Sequence, residues 1–155
     1  YHNLGYPTRA LRTKDFLYIR NFRPERWPAG DPCAIDKNGK TGAMHSAYHD
    51  IDQCPAWDFI VANRDDREIY PYFLKAAGKR PYEELYNVSS DPGCLHNLIG
   101  NGKYTEKLNN LRKEMDKLLK KTKDTRYLDD PTQDDIWETY PRLSGAMRTF
   151  PEPLF

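Results

Sequence analysis

At 155 residues the chain has the length of one ordinary domain, enough to bury a core though not a generous one. Lys plus Arg total 24 against 23 for Asp plus Glu, a net charge of +1, so no global field draws the chain to nucleic acid or an anionic membrane and any anion binding has to be local. The three cysteines, Cys33, Cys54 and Cys94, show no C-x-x-C spacing and announce neither a disulfide framework nor a zinc site. No apolar run approaches the roughly 20 residues that cross a bilayer, and the opening "YHNLGYPTRAL" has no signal-peptide pattern. Without an initiator methionine, that opening leads one to expect a longer polypeptide.

In chain order, Ala10–Arg12 and Phe16–Asn21 are short runs with aromatic and β-branched residues around the polar Thr13, Lys14 and Asp15, which predicts a β-hairpin. Phe16, Tyr18 and Arg20 share one face of it and Leu17 and Ile19 the other. Residues 22–52 are rich in proline and glycine and read as a long irregular loop, of a kind that is functional or covers another surface. Pro55 suits the first position of a helix running to about Asn63. Asp65 or Asp66 suits the cap of a second helix toward Ala77, interrupted at Tyr70 and Pro71 and stopped by Gly78. "PYEELYNV" reads as a strand and "SSDPG" as the turn that closes it.

The strongest periodic signal lies between Tyr104 and Thr122. There Tyr104, Leu108, Leu111, Met115, Leu118 and Leu119 recur at three and four, with Asn101 placed to cap the start. This stripe needs an apolar partner, and the small sheet is the one the chain offers. The predicted class is therefore α+β, a small antiparallel sheet packed against a long amphipathic helix and wrapped in irregular loops. Residues 124–155 turn polar and proline-punctuated and read as an extended tail.

The chemistry-bearing residues are scattered. Among the histidines, His45 and His49 have a helical spacing that suits a metal pair, but they lie in a glycine-containing loop with no carboxylate motif after them, which favours a solvated loop. Arg20, Phe22, Arg23, Arg26 and Trp27 form a basic, aromatic run; guanidinium forks match sulfate or phosphate geometry, and rings stack on sugars. The plainer reading is arginines shielding a loop. Tyr6, Pro7, Thr8 and Arg9 repeat the theme, a rigid turn ending in a guanidinium. Cys94 and His96, two apart on a turn, suggest a nucleophile and base, yet no third group orients the imidazole and a structural corner is the stronger reading. Asn87-Val88-Ser89 is a glycosylation sequon.

One block carries a family resemblance. Glu84-Leu85-Tyr86-Asn87, then Asp91-Pro92, then Asn97-Leu98, followed by a long amphipathic helix, resembles the C-terminal end of the type I sulfatases, whose usual wording is E-L-Y-D, D-P, N-L; Asn87 departs from the usual Asp. "YPTRALRTKDFLYIRNF" is similar to the segment by which the sulfamidase (heparan N-sulfatase) branch enters this subdomain, and "WETYPRL" resembles bacterial members. The resemblance implies that residues 1–155 are a C-terminal subdomain whose partner is the large N-terminal domain of the same polypeptide. That domain would hold calcium and a formylglycine made from cysteine or serine in C/S-x-P/A-x-R. The whole enzyme would hydrolyse sulfate esters or N-sulfates of glycosaminoglycan-type sugars, and this chain would lend loops to the substrate pocket. Ser144-Gly145-Ala146-Met147-Arg148 matches the nucleophile motif by letter, but no Thr-Gly follows and no calcium-site aspartates accompany it, so the chain alone is expected to be inactive.

On this reading the chain has no catalytic residue and no metal ligand of its own. Tyr6 and Arg9, with His2 next, are the residues expected to face the active site, and Arg23, Arg26 and Trp27 to reach distal sugar. A periplasmic or secreted location, or a lysosomal-type one, is the corresponding expectation, with neither nucleic acid nor a membrane span involved. The competing reading is a binding module that holds an anionic glycan through the same arginines without chemistry.

Overall fold

In the computed structural model the structure describes residues 6–30, 32–34, 36–38, 40–48 and 50–124. Five helices and strands of note precede the last helix: strand β1 (Thr8–Arg12), strand β2 (Phe16–Asn21), helix α1 (Pro55–Ala62), helix α2 (Tyr70–Ala77) and strand β3 (Glu83–Asn87). A short 3-10 turn, Gly102–Tyr104, then leads into helix α3 (Thr105–Lys121). Contacts divide the described residues into two compact units, residues 24–80 with Tyr6, and residues 7–23 with 81–124.

The second unit is the predicted α+β layer. Its sheet has the order β1-β2-β3, with both pairings antiparallel. β1 and β2 form the expected hairpin, Leu11 opposite Tyr18 and Arg9 opposite Arg20, closed by Thr13 N donating to Phe16 O at 2.8 Å. β2 continues onto β3 with Tyr18 opposite Leu85 and Arg20 opposite Glu83. Because side chains alternate along a strand, Leu11, Phe16, Tyr18 and Leu85 share a face with Arg9, Arg20 and Glu83. α3 lies on that face. Tyr18 and Leu85 are fully buried against Leu108, Leu111, Met115 and Leu119, each fully buried leucine contributing about 1.5–3 kcal/mol.

Two details of α3 differ from the sequence reading. Tyr104 belongs to the 3-10 turn, where Asn101 caps by accepting from Lys103 N, and its ring meets Phe16 edge-on at 6.0 Å. Leu118 is 40% exposed and stands outside the buried stripe, because one residue before Leu119 on a helix is a rotation of about 100°. The helix ends with Lys123 at φ 52; Lys123 N donates to Lys120 O at 3.2 Å and Asp124 N to Leu119 O at 2.9 Å. That pair of bonds is the left-handed C-terminal cap, which turns the chain sharply and satisfies carbonyls the helix leaves over. The predicted tail lies, from residue 125 onward, outside the described residues.

The first unit gathers Ala29, Tyr48, Trp57, Phe73 and Ala77 into a small core with Ile51, Ile60 and Val61 against it. α1 begins at Pro55 as expected. α2 begins at Tyr70, where an interruption was expected. Asp66 caps the preceding turn, accepting from Glu68 N at 2.7 Å and Ile69 N at 3.3 Å. Pro71 falls within the first turn of α2, where its missing N–H costs no helical bond. The loop before α1 is tied by backbone and side-chain bonds, among them Asp50 N to Ala29 O at 3.2 Å and Ala34 N to Ser46 Oγ at 2.9 Å.

Candidate functional site

The sheet face under α3 becomes polar toward one end. Arg20 donates through Nη1 to Asp116 Oδ1 at 2.6 Å, and through Nε and Nη2 to the Tyr18 hydroxyl at 3.3 and 3.2 Å. The Tyr18 hydroxyl in turn donates to Glu83, which also accepts Nε of Arg112 at 2.9 Å and a second bond from its Nη2. Burial and the bond to Glu83 push the Tyr18 phenol up to about 12. For Arg20, burial works against the charge, but Asp116 and Tyr18 outweigh it and hold the guanidinium above its ordinary value. The bond from Arg112, with that from Tyr18, outweighs burial, which would raise the Glu83 carboxyl, and holds it below its ordinary value.

Arg9 stands beside this network. Its Nε and Nη2 grip Asp124 at 2.6 and 3.2 Å, and Nη1 donates to Thr8 O at 2.8 Å. The cross-strand pair Arg9 and Arg20 is thus neutralised by two aspartates from the helix and its cap, Asp124 and Asp116. About a third of the Arg9 side chain stays exposed. On the opposite face of the sheet a buried carboxylate, Glu84, accepts from Asn21 Nδ2 at 2.8 Å and from the Tyr86 hydroxyl.

The other residues singled out by the sequence fall in different places. Arg23 is half-buried in the second unit, and His2 lies outside the described residues. In the first unit Tyr6 and Trp27 are half-buried and Arg26 is 4% exposed, so a sugar arriving from solvent meets Trp27 more readily than Arg26. Lys79 Nζ lies 5.0 Å over the Trp27 ring. His45 is half-buried: its Nδ1 is 2.6 Å from the Tyr48 hydroxyl, and its ring meets Phe73 edge-on at 5.3 Å. His49 lies outside the described residues, among which no three His, Cys, Asp or Glu side chains gather as metal ligands.

The corner at Cys94 is structural. Asp91 organises it, accepting His96 N at 2.8 Å, while the His96 ring stays 80% exposed at 3.5 Å from the same carboxylate. No hydrogen bond joins Cys94 to His96 among the described residues. Asn97, unnoticed as a structural residue in the sequence, is the working part: its Oδ1 accepts Leu85 N at 2.9 Å and Ile99 N at 3.1 Å, and its Nδ2 donates to Glu83 O at 3.3 Å. Asn87 closes the other side, its Oδ1 accepting Ser89 N at 3.1 Å and Ser90 N at 3.2 Å. The spacing of the E-L-Y-N to N-L block is therefore the spacing of a folded corner.

With that corner built, the sequence comparison gains a physical meaning: the chain is related to a sulfatase. The relative is an ulvan-active sulfatase of Formosa agariphila, 34% identical over 111 residues, which are 72% of this chain and 16% of the relative. The chain thus spans about one-sixth of that protein's length. No family model matches the chain, and no solved structure matches it.

Proposed function

We propose that the chain is the C-terminal subdomain of a sulfatase of the sulfamidase-like branch that hydrolyses sulfate esters or N-sulfates of glycosaminoglycan-type sugars. The observation that supports this is the identity to a sulfatase over 111 residues, joined to a corner block in which Asn87, Asp91 and Asn97 hold the backbone. Calcium and formylglycine belong to the large domain preceding this chain, where they supply the nucleophile and the charge that holds the sulfate. This chain's contribution is binding. Arg9 of the second unit is the residue that touches the sulfated sugar.

Arg9 suits that task because its guanidinium is fixed by Asp124 on two sides and keeps an exposed flank. A preorganised fork contacts an anion at less entropic cost than a free one. Polymeric sulfated sugars lie outside cells or in degradative compartments, which makes export to the periplasm or medium, or a lysosomal-type address, the matching location.

The test is release of inorganic sulfate from a sulfated sugar by the full-length polypeptide and by residues 1–155 alone. Release by the full-length protein only is the expected result. A full-length protein that retains a sulfated glycan but releases no sulfate would replace this reading by a binding module.

A further inference from the structure

Lys113, Lys117, Lys120 and Lys121 are all exposed on α3. At 3.6 residues per turn they fall on the side opposite Leu108, Leu111, Met115 and Leu119, the residues that pack on the sheet. Sequence alone understates the charge of this side, since acids alternate with the lysines. The structure removes two of those acids: Asp116 is bound by Arg20 and Asp124 by Arg9, each at 2.6 Å. In the last three turns of the helix Glu114 is then the one carboxylate without an arginine partner among the described residues, and Lys123 adds a further cation beyond the C-terminus. None of the four lysine side chains makes an ion pair or hydrogen bond among the described residues.

Such a face is costly if it does nothing. Lys113 and Lys117, and Lys117 and Lys121, are like charges one turn apart, each pair destabilising by about 0.2–0.5 kcal/mol. The helix dipole favours cations in its last turn, which accounts for Lys120 and Lys121 but not for Lys113 and Lys117. We infer that this lysine face of α3 is a docking surface for a sulfated polysaccharide, gripping sulfates of the polymer away from the sugar that reacts. The inference rests on the proposed sulfated-sugar substrate for the identity of the polyanion. Two features speak against nucleic acid. The face carries no aromatic ring among the described residues on which a base would stack, its large apolar neighbour being Leu118, and lysine ammoniums lack the fork that reads base edges. Ammonium groups act as point charges without the directional fork of arginine, which suits a polymer whose sulfates are unevenly placed.

The experiment titrates the 155-residue chain with dextran sulfate across a salt series, comparing wild type, K113Q/K117Q/K120Q/K121Q, and the exposed-lysine control K14Q/K37Q/K40Q. The quadruple variant should bind at least about tenfold more weakly at low salt, with a slope of log affinity against log salt shallower by roughly three to four charges. The control should bind as wild type does. Equal binding by wild type and the quadruple variant, an equal loss in the control, or tighter binding of duplex DNA than of dextran sulfate would each overturn the inference. Far-UV circular dichroism checks that the variants fold, which solvent-facing lysines should permit. In the full-length polypeptide the quadruple variant should release sulfate from a small sulfated sugar at the wild-type rate. Absence of that release in wild type would overturn the sulfatase reading and the polymer's role as substrate, and would leave the dextran sulfate result to stand by itself.

Discussion

The side chain of Asn97 serves Leu85 as an extra strand. Its Oδ1 accepts Leu85 N at 2.9 Å, and the next residue returns the bond, Leu98 N donating to Leu85 O at 2.8 Å. Leu85 is fully buried in a strand that, among the described residues, pairs in the sheet on one side only, so both its backbone groups would otherwise go unsatisfied. Asn97→Ala should therefore lower stability by about 1–3 kcal/mol, the cost of an orphaned buried N–H. Urea unfolding measures it. Asn97→Asp keeps the acceptor and should lose less; an alanine variant within about half a kcal/mol of wild type would mean that water replaces the side chain.

Leu111 and Leu118 are both on α3, but 3% and 40% exposed. Leu111→Ala should cost about 2–5 kcal/mol, through lost burial and the cavity left under Tyr18 and Leu85. Leu118→Ala should cost less than about half a kcal/mol, with alanine's helix propensity offsetting part of the loss. The contrast between the two variants in the same denaturation series is the measurement, since similar losses would put α3 in a different rotation about its axis.

Acid should unfold the second unit through Glu83. Its folded pKa lies below the ordinary 4.5 because Arg112 and then Tyr18 bind the charged form. The unfolded chain then takes up the proton first, so this stability is complete above about pH 4.5 and is lost as pH falls through the folded pKa. Glu83→Gln should be less stable than wild type at neutral pH and show a shallower fall below pH 4.5, read from urea midpoints at stepped pH. His45 sets a second, earlier window: burial, then Arg64, lowers it from 6.5, so its contribution declines as pH drops below that value.

Local signals were legible in the sequence. The hairpin followed from alternation around Thr13–Asp15, the start of α1 from Pro55, and α3 from its apolar spacing with Asn101 ahead of it. What escaped the sequence is whatever depends on residues far apart in the chain. Arg9 and Asp124 are separated by 115 positions, Arg20 and Asp116 by 96, and nothing in either neighbourhood announces the other. His45 meets Tyr48, three residues on, and also Phe73, whose approach no local spacing announces. Asn97 was readable as a motif letter long before its bond to Leu85 gave the letter a cause.

Lys123 adopts φ 52 to form the cap that ends α3. A side chain in this left-handed region costs about 1–2 kcal/mol that glycine avoids. Lys123→Gly should raise stability by up to roughly 1 kcal/mol, the gain being reduced by glycine's greater freedom in the unfolded chain. A fall in the thermal midpoint would show that the lysine side chain is itself held.

The same cap delivers Asp124 to Arg9, which allows a structural role of Arg9 to be separated from a role toward substrate. If the guanidinium only ties β1 to the end of α3, a double-mutant cycle of Arg9→Ala and Asp124→Ala should return the coupling of one partly exposed ion pair, about 0.2–1 kcal/mol. If Arg9 also touches a sulfated sugar, stability should behave in that way while turnover does not. Arg9→Ala in the full-length polypeptide should then lower kcat/KM by about 10- to 100-fold, as expected for a charge-assisted hydrogen bond of roughly 1.5–3 kcal/mol. Asp124→Ala leaves the guanidinium in place but unanchored and should cost several-fold less. Equal losses of kcat/KM in the two variants, in proportion to their losses of stability, would confine Arg9 to the ion pair.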